Sequence, residues 1–300
     1  MERIIKSVDY DYATVKKTID ALCCRNPHLQ QFIIGKSCAG RDITAIKLGG
    51  AEEYVLFAAA FHGSEHITTN ILLMFLEELS FAFDKNKFLA GINVKKALGN
   101  RGILFVPCVN PDGCEISIYG ATACGNDNAK ISNLCAGKFK TWNANLRGVD
   151  INHNFDAGWQ RLHVLERQMG IVGPAPTRFG GTHPHSEPET LAMVKLCDDY
   201  NIRHAVALHS QGEVIYYNYN GLEGSRAKQM AEIMATTSGY ALDVPVALAT
   251  GGGFKDWFIK KYLRPAFTVE VGKGKNPLPI TDAFHIYNDI REMLTICSIM

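Results

Sequence analysis

No stretch of the chain is apolar over the 18 or so residues that a membrane-spanning helix requires, so no membrane partner is expected. The opening residues, Met1-Glu-Arg-Ile-Ile-Lys-Ser-Val-Asp9, lack the apolar run of a secretion signal, and a cytoplasmic location is expected. Neither sign of charge is in surplus: 31 Lys and Arg face 30 Asp and Glu, for a net +1. A protein that gathers phosphates normally carries a basic excess, so no nucleic-acid partner is expected. The nine cysteines contain no C-x-x-C pair. That spacing is the usual mark of a structural zinc site or a dithiol redox motif, and reduced, mostly buried thiols are expected instead. Internal repeats, low-complexity tracts and Gly/Ser or Pro linkers are also missing. With 300 residues, 47% of them apolar and 20% charged, the chain reads as one globular domain. Its first thirty or so residues form a helical extension. The oligomeric state is left open.

What is present is an alternation of strands and helices. Val55 to Ala60 and Ile103 to Val106 are short all-apolar runs, the pattern of strands buried on both faces. Ala205 to His209 and Ala266 to Val271 repeat it, and Ile43 to Leu48 and Val214 to Tyr217 are further strands. Helical spacing runs from Thr68 to Phe83, Glu187 to Tyr200, Asp256 to Tyr262 and Ile286 to Ile296. Ser186-Glu187-Pro188-Glu189 has the form of a capping box with Pro in the first turn. The pattern predicts an α/β fold with a mixed, mostly parallel sheet flanked by helices, and chemistry beyond the carboxyl ends of the strands. Asn110 to His185 is rich in Gly, Asn, Pro and Thr and reads as a long irregular, functional segment.

Three apolar strands end in titratable groups, which a buried strand does not normally do without partners. One runs into His62-Gly63-Ser64-Glu65-His66, one ends at His209, and one leads into Glu270. His62 and Glu65, three apart on a turn entering a helix, can converge on one point. With His209 as a distant third ligand they make the donor set of a catalytic zinc site, which leaves one position for water. H-x-x-E by itself has a plain alternative, a helix-entry Glu beside a surface His. H-x-x-E-H can also be read as an inverted zincin motif, with His62 and His66 as ligands.

The motifs that follow decide between these. Asn110-Pro-Asp-Gly113 follows the second strand, and Gly148-Val-Asp150-Ile-Asn152-His153-Asn-Phe155 comes later. Ser186-Glu-Pro-Glu189, His209 and Thr268-Val-Glu270-Val-Gly272 then appear in order. Together they resemble the zinc carboxypeptidase family, from about Gly35 to Ile286. His209-Ser-Gln-Gly-Glu213, Gly252-Gly-Phe-Lys-Asp-Trp257 and Asn276-Pro-Leu-Pro279 resemble its bacterial γ-D-glutamyl–diamino acid peptidases more narrowly. The resemblance implies one Zn²⁺ per chain on His62, Glu65 and His209, and Glu270 as general base. It implies that Asp150 fixes a ligand imidazole and that Asn152 touches the substrate's carboxylate. The implied substrate is a short murein peptide.

Some positions depart from the family pattern. His153 stands where family exopeptidases carry an Arg that forks onto a carboxylate, and histidine cannot form that fork. Asn143 stands in place of a basic residue that steadies the oxyanion, with Arg147 and Lys140 as the nearby cations. Leu248 and Thr250 occupy the stretch where carboxypeptidase A has its active-site Tyr. The chemistry is therefore expected to be kept and recognition altered. The alternatives are a metallocarboxypeptidase or deacylase acting on another small amide, or a binding protein that retains the zinc site without turnover. Arg41, in a Ser-x-x-Gly-Arg turn, is expected to be structural. His183 and His185 are read as loop residues.

Overall fold

The strands with continuous apolar runs lie side by side at the centre of one sheet. The computed structural model describes residues 3–50, 52–245 and 249–300. In chain order the elements are α1 (Tyr12–Arg25), β1 (Leu29–Lys36), β2 (Asp42–Leu48), β3 (Glu53–Ala59), α2 (Ile67–Asp84), β4 (Phe88–Leu89), β5 (Ile92–Asn93), α3 (Val94–Leu98), β6 (Arg101–Val106) and α4 (Pro111–Tyr119). There follow α5 (Asn128–Cys135), α6 (Trp159–Gln168), α7 (Pro188–Asp199), β7 (Ile202–His209), β8 (Val214–Tyr216), α8 (Gly224–Ser238), β9 (Ala241–Leu242), α9 (Phe254–Tyr262), β10 (Ala266–Glu270) and α10 (Ala283–Cys297).

The main sheet has eight strands in the order β1-β2-β6-β3-β7-β10-β8-β9. Its centre, β6-β3-β7-β10, is parallel, while β1, β2 and β8 join antiparallel. The α/β expectation of a mixed, mostly parallel sheet is met. Helices cover both faces, as a sheet buried on both sides requires. Phe57, Val206, Leu208 and Val269 face a core built with α1, α2, α8 and α10. Leu56, Ala205, Ala207 and Ala266 face the other, built with α7 and α9. Phe57 is fully buried, with Phe75 and Phe105 centred 5.4 and 5.7 Å away.

The segment before β1, which carries α1, packs on the main core through Ile5, Tyr10, Val15, Ile19 and Leu22. Other local details differ from expectation. The segment from Asn110 to His185 contains three α-helices and so is not irregular throughout. The capping box does not form. Glu187 occupies the cap position without a side-chain cap bond, and Ser186 Oγ donates to Glu187 Oε1 at 2.8 Å instead. The Glu189 carboxylate reaches back across the fold to the Cys38 N–H at 3.0 Å. Among the described residues no helix is long and apolar enough to cross a membrane.

A candidate metal centre and its cleft

The site begins where β3 ends. Thr68 Oγ1, in the first turn of α2, donates to Glu65 O at 2.7 Å and accepts from the Ala60 N–H at 2.9 Å. Strand end and helix start are thereby stitched around the His62–Glu65 turn. Gly63 lies so close to its surroundings that a Cβ there would sit 2.2 Å from Gly113 O and 2.6 Å from Trp142 O. Asn110, the first residue of N-P-D-G, holds both sides of that contact. Its Nδ2 donates to Phe61 O and Asn143 O at 3.1 Å and to Ala144 O at 3.2 Å. Its Oδ1 accepts from the Gly113 N–H and caps α4. Asp112 accepts from Ser37 Oγ, the Ala39 N–H and Arg41 Nη1 at 2.6 to 2.8 Å, and Arg41 is structural in this arrangement.

His62, Glu65 and His209 meet, with one donor atom from each within 4.8 Å of the others. Both imidazoles turn Nδ1 to the same carboxylate: His62 Nδ1 lies 2.9 Å from Glu65 Oε1, and His209 Nδ1 3.0 Å from Glu65 Oε2. His62 Nε2 faces Asp150 Oδ1 at 3.0 Å. The Asp150 carboxylate also accepts from Thr177 Oγ1 and the Arg178 N–H. Burial disfavours charge on His62, Glu65 and Asp150, but attraction within the cluster outweighs it. His62 is raised well above the ordinary histidine value, Glu65 is lowered to about 2, and Asp150 is pushed far down. Two nitrogens and a carboxylate oxygen, converging and buried, with one ring braced from behind, fit the donor set of a zinc ion. His66 takes no part. It faces Asp9 at 3.7 Å, which leaves Glu65 with His62 and His209 and speaks against the inverted zincin arrangement.

Glu270 and His209 are register partners at the carboxyl ends of β10 and β7. In a parallel pair, partners point to the same face, so the carboxylate arrives beside the imidazole. Burial, reinforced by the charge of Glu65 and opposed by that of His62, raises the Glu270 carboxyl to about 8. It lines a cleft of about 120 Å³ together with His62, Asn152, His153 and Lys255. A larger groove of about 360 Å³, between α1 and strands β1 and β2, contains none of these residues. The segment after β10 closes over the ligand turn: Asn276 Nδ2 donates to Ser210 O at 2.6 Å, and Ser210 Oγ to Asn276 Oδ1 at 2.8 Å.

The remaining expected residues divide. Asn152 Oδ1 accepts from the Phe254 N–H at 2.9 Å, and the residue lines the cleft. His153 lines the cleft. Asn143 sits against the ligand turn, with its carbonyl accepting from the Gly63 N–H at 3.1 Å and its side chain paired with Ser64 Oγ. Arg147 stands apart, more than half exposed, with its guanidinium 3.7 Å from Glu187, and is not among the cleft-lining residues. Leu248 lies outside the described residues, and Thr250 is half-buried nearby. Two residues were not anticipated. Lys255 is buried in the cleft wall, donating to Asn218 O at 2.7 Å and paired with Asp256. Glu166 is buried on α6, 2.9 Å from His153 Nδ1. Sequence carried a faint signal for both: a lysine among the aromatic residues of one helix start, and a glutamate one turn beyond Leu162 on the inner stripe of another.

This geometry has relatives. The chain is 35% identical to γ-D-glutamyl-L-diamino acid endopeptidase 1 of Lysinibacillus sphaericus over 286 residues, 94% of this chain and 70% of that one. It is 24% identical to carboxypeptidase B of Rattus norvegicus over 87% of this chain and 62% of the other. Among solved structures, bovine thrombin-activatable fibrinolysis inhibitor superposes with a TM-score of 0.74 at 17% identity, covering 97% of both chains. Murein-tripeptide amidase MpaA of Escherichia coli O157 gives 0.52 at 21% identity, over 87% of this chain and 91% of that one. The zinc carboxypeptidase family model matches residues 15–294, and with the His62–Glu65 turn, a braced imidazole and a strand-end glutamate all arranged at the carboxyl ends of the central strands, the chain belongs to the zinc carboxypeptidase family.

Proposed function

We propose that this metallopeptidase hydrolyses the amide between γ-D-glutamate and a diamino acid in short murein peptides, with one Zn²⁺ held by His62, Glu65 and His209. The observation that carries the chemistry is the in-register pairing of Glu270 with His209, which brings a half-buried carboxylate to the edge of the three-donor cluster. Zinc, when bound there, supplies a Lewis acid that polarises the amide carbonyl and acidifies water. Glu270, whose raised carboxyl the charge of a bound metal would return to the ionised form, would take the proton of the attacking water and deliver it to the leaving amine nitrogen. Asp150 holds His62 by Nε2 and so keeps Nδ1 presented to the metal. Asn143, against the ligand turn, offers an uncharged amide to the developing oxyanion. Arg147 adds at most a distant positive charge.

The substrate class is supported by the relative from L. sphaericus, whose name specifies that bond and which spans most of this chain. The cleft agrees with it. A murein peptide carries several carboxylates, and Asn152 and His153 line the cleft, with Lys255 behind them held by Asn218 O and Asp256. None of them reproduces an arginine fork, which suits a peptide other than the ordinary carboxypeptidase substrate. The proposed setting is cytoplasmic turnover of small wall fragments.

The test is incubation of L-Ala-γ-D-Glu-meso-diaminopimelate with zinc-loaded protein, with products identified by mass. Release of diaminopimelate that a chelator abolishes is the expected result. Zinc binding without release would overturn the substrate assignment, and cleavage of an ordinary C-terminal peptide bond instead would make the chain a conventional carboxypeptidase.

A further inference from the structure

Helix α6 carries a carboxylate on the stripe that should be apolar. Leu162 and Glu166 are its buried residues, and Glu166 has no exposed surface. A buried carboxylate needs compensation. Here it comes from two imidazoles rather than from Lys or Arg. Glu166 Oε1 lies 2.9 Å from His153 Nδ1, and Oε2 lies 3.0 Å from His163 Nδ1 while accepting from the Gly180 N–H at 3.2 Å. The backbone makes room for this bridge. A Cβ on Gly180 would lie 3.1 Å from Glu166 Oε1 and 2.7 Å from His153 O. Trp159 lies flat on His163, with ring centres 4.6 Å apart at 13°, and its Nε1 donates to Gly180 O at 2.8 Å. His163 is thus fixed on the outer side. His153 is on the inner side and lines the cleft with Glu270 and His62. Its Nε2 makes no hydrogen bond among the described residues.

We propose that Glu166 is a positioning residue for substrate: it clamps His153 by Nδ1 so that Nε2 is presented to a carboxylate of the bound peptide. This rests on the reading above that puts His153 in the substrate site. When the peptide's carboxylate occupies Nε2, the ring lies between two carboxyl groups, with one nitrogen turned to each and its direction fixed. The ring offers one donor along one line where an arginine would offer a planar pair. A purely structural Glu166 would instead matter for stability and treat all substrates alike.

The test uses the zinc-loaded full chain and two peptides that differ only in a free or amidated C-terminal carboxylate. Glu166→Gln should raise KM for the free acid about tenfold, the worth of one charge-assisted hydrogen bond, with kcat and the amide's KM nearly unchanged. His153→Gln should do the same, and adding Glu166→Gln to it should cost nothing further. A second readout needs no turnover. The His153 ring signals in ¹⁵N NMR, assigned by their loss in His153→Gln, should move on titration with acetate. In Glu166→Gln the same movement should need about ten times more acetate. Equal losses on both peptides, additive costs in the double variant, or a His153 ring indifferent to acetate would each overturn the proposal. If neither peptide is cleaved but the ring takes acetate, and takes it less readily in Glu166→Gln, the peptidase reading falls and the role of Glu166 stands. Should Glu166→Gln fail to fold, Glu166→Asp, which keeps the charge but shortens the reach to His153 Nδ1, takes its place in the acetate titration, and an unchanged midpoint there overturns the proposal.

Discussion

His62 Nε2 lies 3.0 Å from Asp150 Oδ1, across 88 residues of sequence. In the proposed site this carboxylate would hold the proton on Nε2 and leave Nδ1 for a metal. Asp150→Asn keeps the shape but removes the charge, and zinc affinity should fall about 10- to 100-fold. Competition with a chromogenic chelator measures this directly. An unchanged affinity would mean that Asp150 serves only its backbone partners.

The two histidines that flank Glu65 should separate cleanly. His62→Ala removes a donor from the cluster and should leave the protein with substoichiometric zinc after dialysis. His66 faces Asp9, so His66→Ala should retain a full complement. Metal analysis of both variants tests the assignment, and the reverse pattern would restore the inverted zincin arrangement.

Glu270 should be separable from metal binding. Glu270→Gln preserves size and polarity but cannot accept the proton of water. Turnover should fall about a hundred- to ten-thousandfold, with zinc stoichiometry unaltered. Parallel kinetics and metal analysis check it, and a variant that keeps its kcat would rule out Glu270 as the base.

Gly63 is constrained by backbone on both sides, since a Cβ there would meet Gly113 O and Trp142 O. Neither neighbour can move as a side-chain tip can. Gly63→Ala should therefore cost about 3 kcal/mol or more, read as a lowered urea midpoint. A stability close to that of the unaltered protein would show that the ligand turn can shift.

His204 sets an acid limit on the fold. It is fully buried in β7, with Nε2 2.8 Å from Cys297 O. Burial pushes its pKa down from 6.5 to about 3 despite that bond, with Arg226, Arg203 and Arg101 adding to the effect. Between those values the unfolded chain binds a proton that the folded chain refuses, so stability falls as pH drops below 6.5. The slope from this residue is at most about 1.4 kcal/mol per pH unit. His204→Gln, which keeps a donor for Cys297 O, should flatten the loss between pH 6 and 4 in chemical denaturation. An unchanged slope would place the acid sensitivity elsewhere.

The candidate ligands were legible in the sequence because they break a pattern. A strand as apolar as Val55 to Phe61 has no local reason to stop at His62, and the same holds for His209 and Glu270. The parallel centre was legible because strands buried on both faces have no polar alternation. β1 was hidden by its place at the edge, where Gln30 and Gln31 face solvent between apolar neighbours. α8 buries two alanines and two methionines, a stripe with little contrast against its surroundings. Ser186 was misread because its sequence context matches a cap, while a neighbouring carboxylate competes for the hydroxyl. Glu166 and Lys255 were illegible for a different reason. A polar residue on an inner stripe declares itself only through partners, and these come from loops 13 and 37 residues away.

The register between β10 and β7 ties the proposed role of Glu270 to the accuracy of folding. A slip of one residue would turn Glu270 out of the cleft and into the core shared by Phe57, Leu208 and Val269. There a carboxylate would meet only hydrocarbon. A mispaired sheet is thus both inactive and unstable, and a chain in that state would unfold or be degraded before it could accumulate as a silent, folded impostor.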